Sequence, residues 1–116
     1  MDERLEKALE FSNFRYTAYL EKRKLQEKLK SDLVFYHNGG KFFLDRNFIV
    51  FLNLITPEEG TGTITILDDK LTPILIEDIK KLQQEAIDQY SSITKKYHIA
   101  FESLKKKRSV KSLIDL

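Results

Sequence analysis

The sequence predicts an α+β chain in which two long helices pair antiparallel, as a coiled-coil-like hairpin, and flank a small antiparallel β region with a short central helix. Three observations predict it. The first 31 residues contain no Gly or Pro; residues 76–108 carry a sustained seven-residue apolar recurrence; and the stretch between them turns to Phe, Ile, Val, Thr and Tyr, broken by turn residues. A chain of 116 residues suits one domain. We therefore expect a single domain over 1–116, divided into a long helix (1–31), a small α/β insert (32–75), a second long helix (76–108) and a tail (109–116).

The first helix carries two apolar stripes. Leu5, Leu9, Tyr16 and Leu20 form one; Phe11, Phe14, Ala18, Leu25 and Leu29 form the other, with the threes, fours and sevens that a helix–helix seam requires. Two stripes exceed what one partner helix covers. Either the middle region or another subunit must cover the second, and the partner-facing set is expected to be Phe11, Phe14, Leu25 and Leu29.

The middle region reads in order. Leu33 to Leu44 resembles a β-hairpin about Asn38-Gly39, a pair able to take the positive φ angles of a primed turn. Asp45 is a good N-cap, and Arg46 to Ile55 favours a short helix, although its Phe/Ile/Val content also permits a strand. A loop, Thr56 to Gly62, leads to the alternating strand Thr63 to Leu67. Asp68-Asp69-Lys70 turns, and Pro73 to Ile76 returns as an edge strand.

The second long helix starts near Ile76 or Glu77. Ile79, Ala86, Ile93 and Ala100 recur by sevens, as do Gln83, Tyr90, Tyr97 and Leu104. Tyr90, Ile93, Tyr97 and Leu104 are the expected internal seam. Glu77 and Asp78 at its start and Lys105-Lys106-Lys107-Arg108 at its end would match the helix dipole, as would Asp2, Glu3 and Glu6 with Lys28 and Lys30 on the first helix. Antiparallel pairing then sets each acidic start beside a basic end.

Composition excludes much chemistry. No cysteine means no disulfide, thiolate nucleophile or thiolate metal site. The two histidines, His37 and His98, have no carboxylate at metal-ligand spacing, so no metal site and no cofactor is expected. Asn38-Gly39-Gly40-Lys41 leads into a strand, not the helix of a phosphate loop. Gly60-Thr61-Gly62 lacks the rest of a dinucleotide fingerprint. The pairs Glu58-Glu59 and Asp68-Asp69 fall in turns, where adjacent carboxylates rarely converge on one atom, and no Gly-x-Ser-x-Gly elbow occurs. We expect no catalytic residues and no enzyme.

The net charge of +2 does not by itself imply nucleic acid or membrane. Locally the charge is sorted: Lys22-Arg23-Lys24 with Lys28 and Lys30, and Lys105, Lys106, Lys107 and Arg108 with Lys111. The latter five are candidate contacts to phosphate or to an acidic partner. Under antiparallel packing the two clusters would lie at opposite ends of the hairpin, ~40 Å apart, which argues against one continuous nucleic-acid groove. The tail from Ser109 to Leu116 would either dock on a partner or fold back on Leu5 and Leu9. The most apolar window, Phe48 to Ile55, has eight residues against the ~20 of a membrane span, and the charged start Met1-Asp2-Glu3-Arg4 is unlike a signal peptide. A soluble protein of a reducing, cytoplasmic compartment is expected.

Leu5 to Thr17, the hairpin around Asn38-Gly39-Gly40, Ile66 to Ile79 and Leu104 to Leu113 together span most of the chain. In these segments it resembles small proteins carried by T-even-like tailed bacteriophages. The resemblance implies a role in virion morphogenesis, as a minor prohead core or scaffold component in the host cytoplasm or the prohead, and transfers no catalytic residues. The expected function is therefore protein–protein assembly, with other subunits as partners and self-association foremost. The alternative is a nucleic-acid or replication/transcription accessory protein using the basic helix end and tail.

Overall fold

The computed structural model describes residues 2–57 and 62–115, and the surroundings of side chains through Lys107. The fold is α+β, in the order α1 (Glu3–Asp32), β1 (Val34–His37), β2 (Gly40–Phe43), α2 (Arg46–Ile55), β3 (Ile64–Leu67), β4 (Pro73–Ile76) and α3 (Ile79–Asp115). The chain divides into two compact units, residues 30–94 and residues 1–29 with 95–116.

The 30–94 unit holds the core. β1 and β2 pair antiparallel, with Phe35 opposite Phe42 and His37 opposite Gly40. Asn38 (φ 47°) and Gly39 (φ 80°) make the two-residue turn, both in the left-handed region that a primed hairpin needs. β3 and β4 pair antiparallel as a second, separate two-stranded sheet, with Ile66 opposite Ile74. The β region is thus two small sheets. Neither would be stable alone, and both are held by a shared cluster of Phe35, Phe42, Leu44, Leu52, Ile66, Ile74, Ile76, Ile79, Leu82 and Ala86. Each large side chain buried there contributes ~1.5–3 kcal/mol.

Residues 46–55 are helical. The Asp45 carboxylate accepts from the Phe48 N–H at 2.8 Å, and the Thr56 N–H closes the far end on the Leu52 carbonyl at 3.0 Å. A satisfied cap and the Phe48, Leu52, Ile55 spacing outweigh the strand preference of Ile49 and Val50.

The long helices differ from expectation at their ends. α3 begins at Ile79, with Asp78 as its cap accepting from the Lys81 N–H at 3.1 Å; Glu77 lies outside it. It continues to Asp115, so 109–115 is helix and not tail. No Gly or Pro follows Arg108 to stop it. Its first turn carries no acidic residue and its last turn no basic one, so the dipole matching expected of Glu77 and Lys105 to Arg108 does not hold. On α1 the matching does hold, with Glu3 and Glu6 in the first turn and Lys30 in the last.

Two observations fix the helix directions. Leu33, just past the end of α1, packs against the core that holds Ile79 and Leu82 at the start of α3. Farther along α3, Lys107 meets Glu21, farther back on α1. The two helices therefore run antiparallel.

Candidate functional site

Asp68 is the most confined polar side chain described. It is buried, and its carboxylate accepts three backbone N–H groups: Thr72 at 2.8 Å, Lys70 at 2.9 Å and Lys41 at 3.2 Å. The Thr72 N–H leads in holding its pKa below the usual carboxylate value, against the opposing effect of burial, with the Lys41 and Lys70 N–H groups and the Thr72 side chain adding to it. The Asp69 N–H also reaches the Lys41 carbonyl at 3.0 Å. Asp68 thus ties the β2 strand to the β3–β4 turn, where Leu71 takes φ 62°. An anion so fully occupied is a clasp, not an acid–base group.

Neither histidine is drawn into a cluster. His37 stacks on Phe35, with centroids 6.3 Å apart, and His98 is exposed on α3. Among the described residues no group of three His, Asp or Glu could hold a metal ion. Gly40 closes the hairpin against β4, since a Cβ there would lie 2.6 Å from Ile74 Cγ1. The Asn38-Gly39-Gly40-Lys41 stretch is a packed turn. Glu58-Glu59 and Gly60-Thr61 lie outside the described residues.

What the structure does present is apolar surface. On α1, Leu5, Leu9 and Tyr16 are exposed, while Leu20 is half-buried. Of the four residues expected to face a partner, Phe11 is exposed, and Phe14, Leu25 and Leu29 are half-buried with Ala18 buried among them. The stripe left open on α1 is therefore that of Leu5, Leu9 and Tyr16. Tyr90, Ile93, Tyr97 and Leu104, the expected internal seam, are all half-buried, and Tyr97 lies against Phe101 with centroids 6.0 Å apart.

The sharper surface is on α2, which the sequence favours as a helix without marking its outer face as a surface. Val50 is 56% exposed, Phe51 45% and Leu54 79%, at spacings of one and three that share one outward face. Phe48, Leu52 and Ile55 take the inward face, with Leu52 fully buried. A ten-residue helix that is apolar on both faces is the mark of one covered on both sides. The signal was present in the sequence: the run Phe48 to Ile55 has one polar residue, Asn53, and that one is used against Gln83.

The basic clusters are not at opposite ends. Lys107 Nζ lies 3.5 Å from Glu21 Oε1, next in sequence to Lys22-Arg23-Lys24, so the two clusters come side by side. The expected ~40 Å separation is not found. Instead Ile79, Leu82 and Ala86 are committed to the core, and only α3 from Lys95 on belongs with α1. The side chains of Arg108 and Lys111, and the docking of the last residues, fall outside what is described.

Together these features define an α+β chain whose exposed features are apolar helix faces and one shared basic region. No protein-family model matches the chain, and no curated protein or solved structure matches it significantly. No helix among the described residues is long and apolar enough to cross a membrane.

Proposed function

We propose that this protein is a non-enzymatic assembly factor that associates with other protein subunits, in the first place with copies of itself. The outward face of α2 carries this reading: Val50, Phe51 and Leu54 stand in solvent, while the same helix buries Leu52 in the core. Three large apolar side chains on one helix face supply the centre of an interface, where most binding energy concentrates. The open α1 stripe of Leu5, Leu9 and Tyr16 adds a second apolar surface. The resemblance to small proteins of T-even-like phages supports placing this association in prohead core or scaffold formation.

Light scattering over a dilution series tests it. Masses above the 13.7 kDa of one chain, falling on dilution, are expected. A single 13.7 kDa species up to high micromolar concentration contradicts self-assembly.

A further inference from the structure

Phe11, Arg15, Tyr19 and Lys22 follow one another on α1 at spacings of four, four and three, and so form a row along one side of the helix. Arg4 and Gln26 extend the row, which contains no carboxylate. Phe11 is 43% and Tyr19 57% exposed. The Arg15 guanidinium lies 5.8 Å from the centre of the Phe11 ring, a cation set against an aromatic face.

The ion pair on α1 and α3 decides what stands across from this row. Glu21 and Lys22 lie on opposite sides of the covered stripe Phe14–Ala18–Leu25. Lys107 and Lys105 lie on opposite sides of the covered stripe Tyr97–Ala100–Leu104. Glu21 meets Lys107 on one side; Lys22 and Lys105 therefore share the other. Among the described residues, none of Arg15, Lys22 and Lys105 forms an ion pair. Among the described residues, that side of the pair consequently carries three cations, Arg15, Lys22 and Lys105, beside two exposed aromatic rings, Phe11 and Tyr19.

We propose that this side of the α1–α3 pair binds single-stranded nucleic acid, with bases stacked on Phe11 and Tyr19 and phosphates held by Arg15, Lys22 and Lys105. The proposal goes beyond assembly, because it uses a different face from Val50, Phe51 and Leu54. Cations alone suit any polyanion. Exposed rings between them favour unpaired bases, since every base offers a flat apolar face and a duplex hides it. Phosphate neutralisation also makes the binding steeply salt-dependent.

Fluorescence anisotropy with labelled oligo-dT tests it, with a duplex of equal length and poly-glutamate as competing probes. Binding of oligo-dT is expected to weaken from 50 to 200 mM salt, with a log–log slope near about −2 for three neutralised phosphates. Arg15→Gln and Lys105→Gln should each flatten that slope by roughly 0.7. Tyr19→Ala, on an exposed helix position, should lower affinity about 5- to 150-fold with the slope unchanged. Circular dichroism of each variant establishes that it is folded. Absence of binding at low salt overturns the proposal. So does a Tyr19→Ala variant that binds as well as the original chain, duplex bound as tightly as oligo-dT, or poly-glutamate bound as tightly, which would assign the face to an acidic protein. None of these outcomes bears on the dilution series above.

Discussion

Lys107 Nζ and Glu21 Oε1 lie 3.5 Å apart, and this pairing marks the register of the two long helices. It brings the basic run of α3 beside the basic run of α1, though each sequence stretch alone reads as an isolated helix end. The pair itself is exposed, at 73% and 38% of the two side chains. Lys107→Ala should therefore change stability by less than about 1 kcal/mol, and less still in high salt. Urea melts at low and high ionic strength measure both.

Asp68 gives the fold an acid limit. Its folded pKa lies below the ordinary value, chiefly through the Thr72 N–H, so its contribution is fully present above the unfolded pKa of ~3.9 and is lost as pH falls through the folded value. Asp68→Asn should lower the urea midpoint at neutral pH, because an amide N–H₂ replaces an oxygen that accepts from a backbone N–H. It should also flatten the loss of stability in acid. Midpoints collected across the acid range test the sign: a variant with the same acid slope as the original chain contradicts the clasp.

The hairpin turn separates strain from collision. At Gly39, with φ 80° and nothing within 4 Å of an added Cβ, alanine costs only the left-handed backbone, ~1–2 kcal/mol. At Gly40 the added Cβ meets Ile74 at 2.6 Å, and the overpacking should cost ~1–3 kcal/mol. Relief distinguishes them: Ile74→Val, which keeps Cγ1 but removes the Cδ1 at 2.9 Å from the added Cβ, should recover part of the loss in Gly40→Ala and none in Gly39→Ala.

Leu52 and Leu54 are two residues apart on α2 and oppositely placed, 0% against 79% exposed. Leu52→Ala should destabilise the fold by ~2–5 kcal/mol. Leu54→Ala should stay within about ±0.5 kcal/mol and weaken association instead. Equilibrium unfolding beside light scattering on both variants checks the division of labour.

The elements themselves were largely legible. Asn38-Gly39 marks its turn because few pairs adopt two positive φ angles, and Asp45 marks the start of α2 because its cap is local. Asp68 was not legible: one of its three partners, the Lys41 N–H, comes from another hairpin, and nothing in Asp68-Asp69-Lys70 reveals that. The helix register failed for a related reason. Heptad stripes on α1 and α3 permit sliding in steps of a turn, and neither stripe by itself marks the pairing of Glu21 with Lys107. The α2 face was legible in principle, since an apolar run of eight residues cannot hide all its sides against one small core. The end of α3 is not legible because Lys105 to Arg108 read as a basic last turn, while nothing after them breaks a helix.

Sedimentation velocity on the original chain and on a Phe51→Lys, Leu54→Lys variant, at matched concentrations, tests the central claim most directly. Both substituted residues are exposed, so the fold should survive, as circular dichroism will report. The account predicts concentration-dependent oligomers for the original chain and a shift of the variant toward the 13.7 kDa monomer. Equal sedimentation of the two, whether both assemble or both remain monomeric, would contradict the assignment of the α2 face as the site of self-assembly.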